Sequence, residues 1–189
     1  MLHGMKNFSY SNITRIVFGK GQIAKLPTLI PKGKQVLVTY GGGSIKRNGV
    51  YTQVMDALKD YQVKEFGGIE ANPDFDTAVK AVDMVKSMGV DDTFLLAVGG
   101  GSVADATKFI AAAAKYKATT DPWDFVVAGG KGISGAVPMG CVMTLPAVSQ
   151  ISVRLIAYWQ SYFSPCNSST FIPRPVRRVI TELLSLAER

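Results

Sequence analysis

The fold class predicted here is α/β, a doubly wound, Rossmann-like parallel sheet, and three observations lead to it. Strand-like and helix-like segments alternate through residues 14–147, the order that a parallel sheet with crossover helices demands. Two runs, 36–40 and 93–98, favour strand at every position instead of alternating with polar residues, as strands covered on both faces do. Each run stops at a glycine cluster, Gly41-Gly42-Gly43-Ser44 in one case and Gly99-Gly100-Gly101-Ser102 in the other.

Taken in order, Thr14-Arg15-Ile16-Val17-Phe18 reads as a strand closed by Gly19-Lys20-Gly21. Val36 to Tyr40 is the second strand, and a helix fits Val50 to Leu58. Val63-Lys64-Glu65-Phe66 is the next strand; after Gly67-Gly68, Asn72 can cap a helix whose first position Pro73 would occupy. That helix runs from Asp74 to about Met88, with Phe75, Ala78, Val79, Val82 and Val85 at spacings of three and four and Gly89 as its stop. Thr93 to Val98 is a strand, and an Ala-rich helix follows Ser102 to about Tyr116. Asp121-Pro122-Trp123 reads as a helix start, and Ala136 to Thr144 as a last strand before Leu145-Pro146.

Composition narrows the class. At 189 residues and 20.3 kDa the chain suits one domain, and 47% hydrophobic with 19% charged residues is the balance of a globular protein. No uncharged apolar run approaches the roughly 20 residues of a membrane helix, so no membrane span is expected. The first six residues carry no apolar leader segment, and the chain has two cysteines, Cys141 and Cys166; a cytoplasmic protein without a disulfide framework is expected. The net charge of +7 is spread along the chain, without basic runs interleaved with aromatics, so no nucleic-acid partner is expected. The chain holds one histidine, His3, which excludes a metal site built from several imidazoles of this polypeptide.

Composition also breaks near residue 147. All 19 glycines and all 14 lysines lie in residues 1–147; the remaining 42 residues contain neither, but carry five arginines and seven serines. Two parts are therefore expected: an α/β domain over 1–147 and a divergent tail over 148–189. In the tail, Val176, Val179, Ile180, Leu183, Leu184 and Ala187 allow a short amphipathic helix at 176–188.

Ligands of open α/β sheets bind beyond the carboxyl ends of the strands, where both glycine clusters lie. Gly99-Gly100-Gly101-Ser102 opens into a helix, so backbone N–H groups, the helix dipole and a hydroxyl converge where a pyrophosphate could lie. After Tyr40 the first cluster carries no acidic residue; Lys46 and Arg47 follow it, leaving room and positive charge for a ribose 2′-phosphate. NADP is preferred over NAD on that ground, with a plain solvated turn as the alternative for the two cations. Gly129 to Ser134 lacks P-loop spacing and reads as a loop. Cys141 sits in an apolar strand with no histidine to activate it and reads as core. Asp105 and Lys108 share one helical face and point toward the same crevice, or form an ordinary ion pair.

Together, TRIVFGKG (14–21), YGGGSIKRNGV (40–50), FGGIEANP (66–73), LLAVGGGSVADATKFIA (95–111), DPW (121–123) and PMGCVMTLPA (138–147) closely resemble the N-terminal half of the iron-dependent (group III) alcohol dehydrogenases. The NADPH-dependent aldehyde reductase and butanol dehydrogenase branch is the most similar part of that family. The resemblance implies a dinucleotide-binding domain whose cofactor contacts fall on Gly42, Gly43, Ser44, Asn72, Gly100, Gly101, Ser102, Asp105 and Thr144. It also implies an all-helical domain binding iron or zinc through one aspartate and three histidines, with an alcohol or aldehyde as substrate.

The tail departs from that pattern. Where the family continues into a Thr-Gly-Ser-Glu stretch, Ala147 leads into Val148-Ser149-Gln150-Ile151, and a shifted reading frame accounts for the change. The metal domain is then missing and iron or zinc cannot be bound by this chain alone. The expected function is therefore that of a truncated NADP(H)-binding part of an iron-type alcohol dehydrogenase, crippled in catalysis; whether the chain is itself an enzyme stays open. A non-catalytic nucleotide-binding module and an enzyme completed by a separate metal-binding chain are the alternatives. Apolar surface left by the missing domain makes a homodimer possible.

Overall fold

The computed structural model describes residues 14–116, 121–127, 130, 133 and 135–144. Among them, four parallel strands form one sheet: β1 (Gln35–Tyr40), β2 (Val63–Phe66), β3 (Thr93–Gly99) and β4 (Met139–Met143), in the order β2-β1-β3-β4. Six helices accompany them: α1 (Leu26–Leu29), α2 (Ser44–Arg47), α3 (Val50–Ala57), α4 (Phe75–Met88), α5 (Gly101–Lys115) and α6 (Trp123–Val127). A 3-10 turn over Gln22–Lys25 leads into α1.

The sheet is doubly wound because its strand residues feed two cores. Leu37, Leu95 and Ala97 point to one face, where Ala81, Val82 and Val85 of α4 and Ile110 of α5 cover them. Val36, Val38, Leu96 and Val98 point to the other, against Leu26, Ile30, Val54 and Leu58. Every residue of β3 is buried, as its uninterrupted apolar run requires. Burying each Leu or Val side chain contributes about 1.5–3 kcal/mol, so these two layers hold the strand ends that carry the site.

The crossovers set the topology. From β1 the chain turns through α2 and α3 to β2 on one side; from β2 it passes through α4 to β3 on the other side of β1. The point where strand order reverses thus lies between β1 and β3, whose register runs from Gln35↔Thr93 to Tyr40↔Val98.

Some expectations need correction. Residues 14–18 form no strand and pair with none of the four; Ile16 is 67% exposed and Phe18 95%. An apolar, β-favouring run makes a strand only when a neighbour takes its N–H and C=O groups, and no described strand does so here. The cap of α4 is Asp74, not Asn72: its Oδ1 accepts from the backbone N–H of Asp76 at 2.8 Å and of Thr77 at 3.4 Å, so the helix starts two residues beyond Pro73. The last strand begins at Met139 instead of Ala136, because the Val137 N–H is turned to the Ala111 carbonyl of α5 and Pro138 has no N–H to give. Two short helices, α1 and α2, were not expected at all.

Two helix ends lie where expected. Gly89 closes α4 with φ 90°, and α6 begins as expected, with the Trp123 N–H donating to Asp121 Oδ1 at 2.8 Å. Among the described residues no helix is long and apolar enough to cross a membrane. The tail 148–189, its helix at 176–188, His3 and Cys166 lie outside the described residues, as does most of the loop 129–134.

Candidate functional site

The two glycine turns meet at the carboxyl end of the sheet because β1 and β3 are neighbours in register. Gly41 follows the last residue of β1, while Gly99 ends β3 and Gly100 caps α5. No side chain caps this helix of 15 residues. Its first-turn N–H groups and the positive end of its dipole therefore face outward with no side-chain acceptor of their own, an arrangement suited to an anion. At Gly99 a Cβ would come within 2.8 Å of Val103 Cγ2, so the strand-to-helix turn is too tight for any other residue without movement of Val103. A Cβ at Gly42 or Gly100 would meet nothing within 4 Å, which leaves open space above both turns.

Gly43 caps α2 with φ 94°, in the left-handed region that side chains disfavour, and so lets that helix start at Ser44, shortly after the end of β1. The loop after β2 joins the same cluster. Ile69 N–H donates to the Tyr40 carbonyl at 3.1 Å and Gly68 N–H to that of Gly41 at 3.2 Å. The Ser102 hydroxyl donates to the Ala71 carbonyl, which fixes the exposed Asn72 beside the first turn of α5. On the far side, Thr144 N–H donates to the Gly99 carbonyl at 2.9 Å, placing Thr144 next to that turn. Gly100, Gly101, Ser102, Asn72 and Thr144 are thus gathered around one helix end, with Gly42, Gly43 and Ser44 at the end of the adjoining strand.

Asp105 stands one turn further along α5 and pairs with Lys108, Nζ to Oδ1 3.2 Å, with side-chain exposures of 26% and 14%. Burial pushes the Asp105 carboxyl above the usual aspartate range, while the charge and hydrogen bond of Lys108 pull it back. The same pair faces Cys141 of β4, whose thiol burial pushes up to about 11, with Lys108 lowering it and Asp105 raising it. Such a thiol is inert at neutral pH, in keeping with a packing role.

The cations after the first turn are not both a solvated pair. Lys46 Nζ lies 5.0 Å from the centre of the Tyr40 ring and 4.9 Å from that of Tyr51. The Tyr40 side chain, opposed by desolvation, holds the Lys46 ammonium above the ordinary lysine value. The two tyrosines share one acceptor: Tyr40 donates to Glu65 Oε2 at 3.1 Å and Tyr51 to Glu65 Oε1 at 2.8 Å. That hydrogen bond raises the pKa of Tyr51. The sequence reading missed Tyr51 and Glu65; the available signal was the one acidic residue of the strand Val63-Lys64-Glu65-Phe66. It also missed Thr39 and Thr107, buried under the β1 turn with hydroxyls 2.6 Å apart.

The chain resembles known proteins along most of its length. A family model described as iron-containing alcohol dehydrogenase matches residues 13–156. The chain is 57% identical over 148 residues to the NADPH-dependent aldehyde reductase YqhD of Escherichia coli K12, covering 78% of this chain and 38% of that protein. It is 46% identical over 162 residues to the probable NADH-dependent butanol dehydrogenase 1 of Bacillus subtilis 168, covering 83% of this chain and 41% of that one. A crystal structure of E. coli K-12 YqhD superposes with a TM-score of 0.72 at 54% identity, over 82% of this chain and 37% of that one. The chain therefore spans about two-fifths of the length of the relatives it matches.

Proposed function

Because this chain belongs to the iron-containing alcohol dehydrogenase family, we propose that it is the NADP(H)-binding part of an oxidoreductase acting between an alcohol and an aldehyde. The observation that carries this reading is the uncapped N-terminus of α5 opening beside the Gly41–Ser44 turn, at the point where strand order reverses. The bound nucleotide would supply or accept the hydride; the residues of this chain hold and orient it.

Gly100, Gly101 and Ser102 would receive the pyrophosphate on their backbone N–H groups, at the positive end of α5. Gly42, Gly43 and Ser44 would border the adenosine ribose, and Asn72, Asp105 and Thr144 the approach from the other two sides. NADP is preferred because Lys46 brings a cation to the first turn, whose own residues 41–47 include no aspartate or glutamate. We assign residues 1–147 to this domain and 148–189 to a divergent tail. Among the described residues no group of three or more His, Cys, Asp or Glu side chains could hold a metal ion. Iron therefore finds no such donor set among the described residues.

Thermal unfolding of the full chain with NADPH, with NADH and without ligand tests the reading. A ligand that binds only the folded state adds about 2.7 kcal/mol at 100 times its Kd. The midpoint should rise with NADPH and rise less, or not at all, with NADH. A chain whose midpoint moves with neither nucleotide would overturn the reading.

A further inference from the structure

Glu65 stands where a dinucleotide fold ordinarily keeps an acid for the ribose. It is the next-to-last residue of β2, paired with Val38, and β2 borders β1 on the side away from β3. In such folds an Asp or Glu roughly 20 residues past the first glycine turn accepts the 2′-hydroxyl of NAD. In this protein the acid is present, but both its oxygens are engaged, one by Tyr40 and the other by Tyr51. The rings are fixed as well as the hydroxyls. They meet edge to face with centroids 6.2 Å apart, and the Tyr40 ring lies so close to Gly67 that a Cβ there would fall 2.6 Å from it. Against both rings rests the exposed ammonium of Lys46.

We propose that Glu65 is a masked selector: Tyr40 and Tyr51 keep its carboxylate from a ribose 2′-hydroxyl while their rings hold Lys46 at the same edge, so the site selects nucleotides phosphorylated on that oxygen. This deepens the nucleotide-binding reading above and rests on it. The chemistry is a matter of one charge. An open carboxylate at the ribose rewards a hydroxyl donor and repels a phosphate; a carboxylate filled by two phenols and faced by an ammonium does neither. Lys46 gains from the rings what a solvated lysine lacks, a defined position.

The test uses two probes that differ only in the 2′-phosphate, adenosine 2′,5′-bisphosphate and adenosine 5′-monophosphate, titrated calorimetrically into the full chain. The unmodified chain should bind the bisphosphate more tightly. Tyr40→Phe with Tyr51→Phe keeps both rings beside Lys46, gives up the Tyr40 hydroxyl and frees Glu65; the preference should fall at least tenfold, with the monophosphate gaining affinity as the bisphosphate loses it. Adding Glu65→Gln to that pair should restore the preference. Lys46→Ala should weaken the bisphosphate about tenfold and leave the monophosphate unchanged. A purely structural cluster would weaken both probes alike in the tyrosine variant, and that result, or an unchanged ratio, overturns the inference while leaving the nucleotide site standing. Should the double tyrosine variant fail to fold, Tyr51→Phe alone decides: it frees Glu65 Oε1, so the preference should fall, and an unchanged one overturns the inference. An unmodified chain that binds neither probe overturns the nucleotide-binding reading, and the masked selector with it.

Discussion

The hydroxyl of Ser102, in the first turn of α5, donates to the backbone carbonyl of Ala71, which fastens the helix bearing one glycine turn to the loop that precedes α4. That single bond joins two segments separated by 31 positions in the chain. Ser102→Ala should cost about 1 kcal/mol, or about 4 °C in Tm for a domain of this size, and weaken NADPH binding further by freeing Asn72. Ser102→Thr, which keeps the hydroxyl, should recover most of the midpoint. Thermal melts of the two variants with and without NADPH check both statements, and equal midpoints for Ala and Thr would count against the fastening role.

Gly99 and Gly100 are neighbours with opposite demands. Gly99→Ala drives a methyl into Val103, a side chain stiff about χ1 on a helix, and should destabilise by about 1–3 kcal/mol. Gly100→Asp has space, and it supplies the side-chain cap and negative charge that α5 lacks. It should therefore stabilise the fold by about 0.5–1 kcal/mol while repelling a pyrophosphate. Denaturant titration and NADPH binding measured on one preparation would separate these effects; Gly100→Asp that bound NADPH unchanged would argue against the phosphate position.

Beneath the first turn, Thr39 and Thr107 hold each other at 2.6 Å while Thr107 also donates to the Val103 carbonyl at 2.7 Å. Replacing either with Val strands a buried hydroxyl or its partner, at about 1–3 kcal/mol. Replacing both should cost less than the sum of the two singles, with a coupling of about 1 kcal/mol or more. Urea midpoints of the four proteins in the cycle give the answer, and strict additivity would contradict a direct bond.

Cys141, with its thiol pushed up to about 11, should resist alkylation at pH 8, where roughly one molecule in a thousand carries the thiolate. Since the thiolate is the reactive form, its rate should climb about tenfold for each unit of pH until the fold is lost or pH 11 is approached. Peptide mass mapping after iodoacetamide treatment distinguishes it from Cys166. Modification in native buffer as fast as in denaturant would show that burial does not protect it.

The strands that carry the site were readable because burial on both faces leaves one kind of residue at every position, as in Val36–Tyr40 and Thr93–Val98. The glycine turns were readable for a related reason: Gly99 faces a wall at 2.8 Å, and that crowding restricts its identity. Residues 14–18 misled because strand propensity says nothing about whether one of the described strands offers an edge. Asn72 misled because a capping residue is defined by which oxygen reaches the second and third N–H groups, and Asp74, two residues on, reaches them instead. The cluster of Tyr40, Lys46, Tyr51 and Glu65 was hidden because its members come from four different elements. Only the pairing of β1 with β2 and the packing of α2 and α3 bring them together.

The reversal of strand order between β1 and β3 also has a kinetic consequence. Across that pair Gln35 stands opposite Thr93 and Tyr40 opposite Val98, partners 58 positions apart in the chain, and the central pair closes only after the crossover through α4 has been organised. Contacts of such long range are slow to form, since the entropy of closing the loop is lost before the pairing rewards it. The two glycine turns hang from the ends of that late-forming pair. A half-folded chain, with β1 joined to β2 alone, therefore has no cleft, and whatever occupies the cleft acts as a latch on the slowest step of assembly.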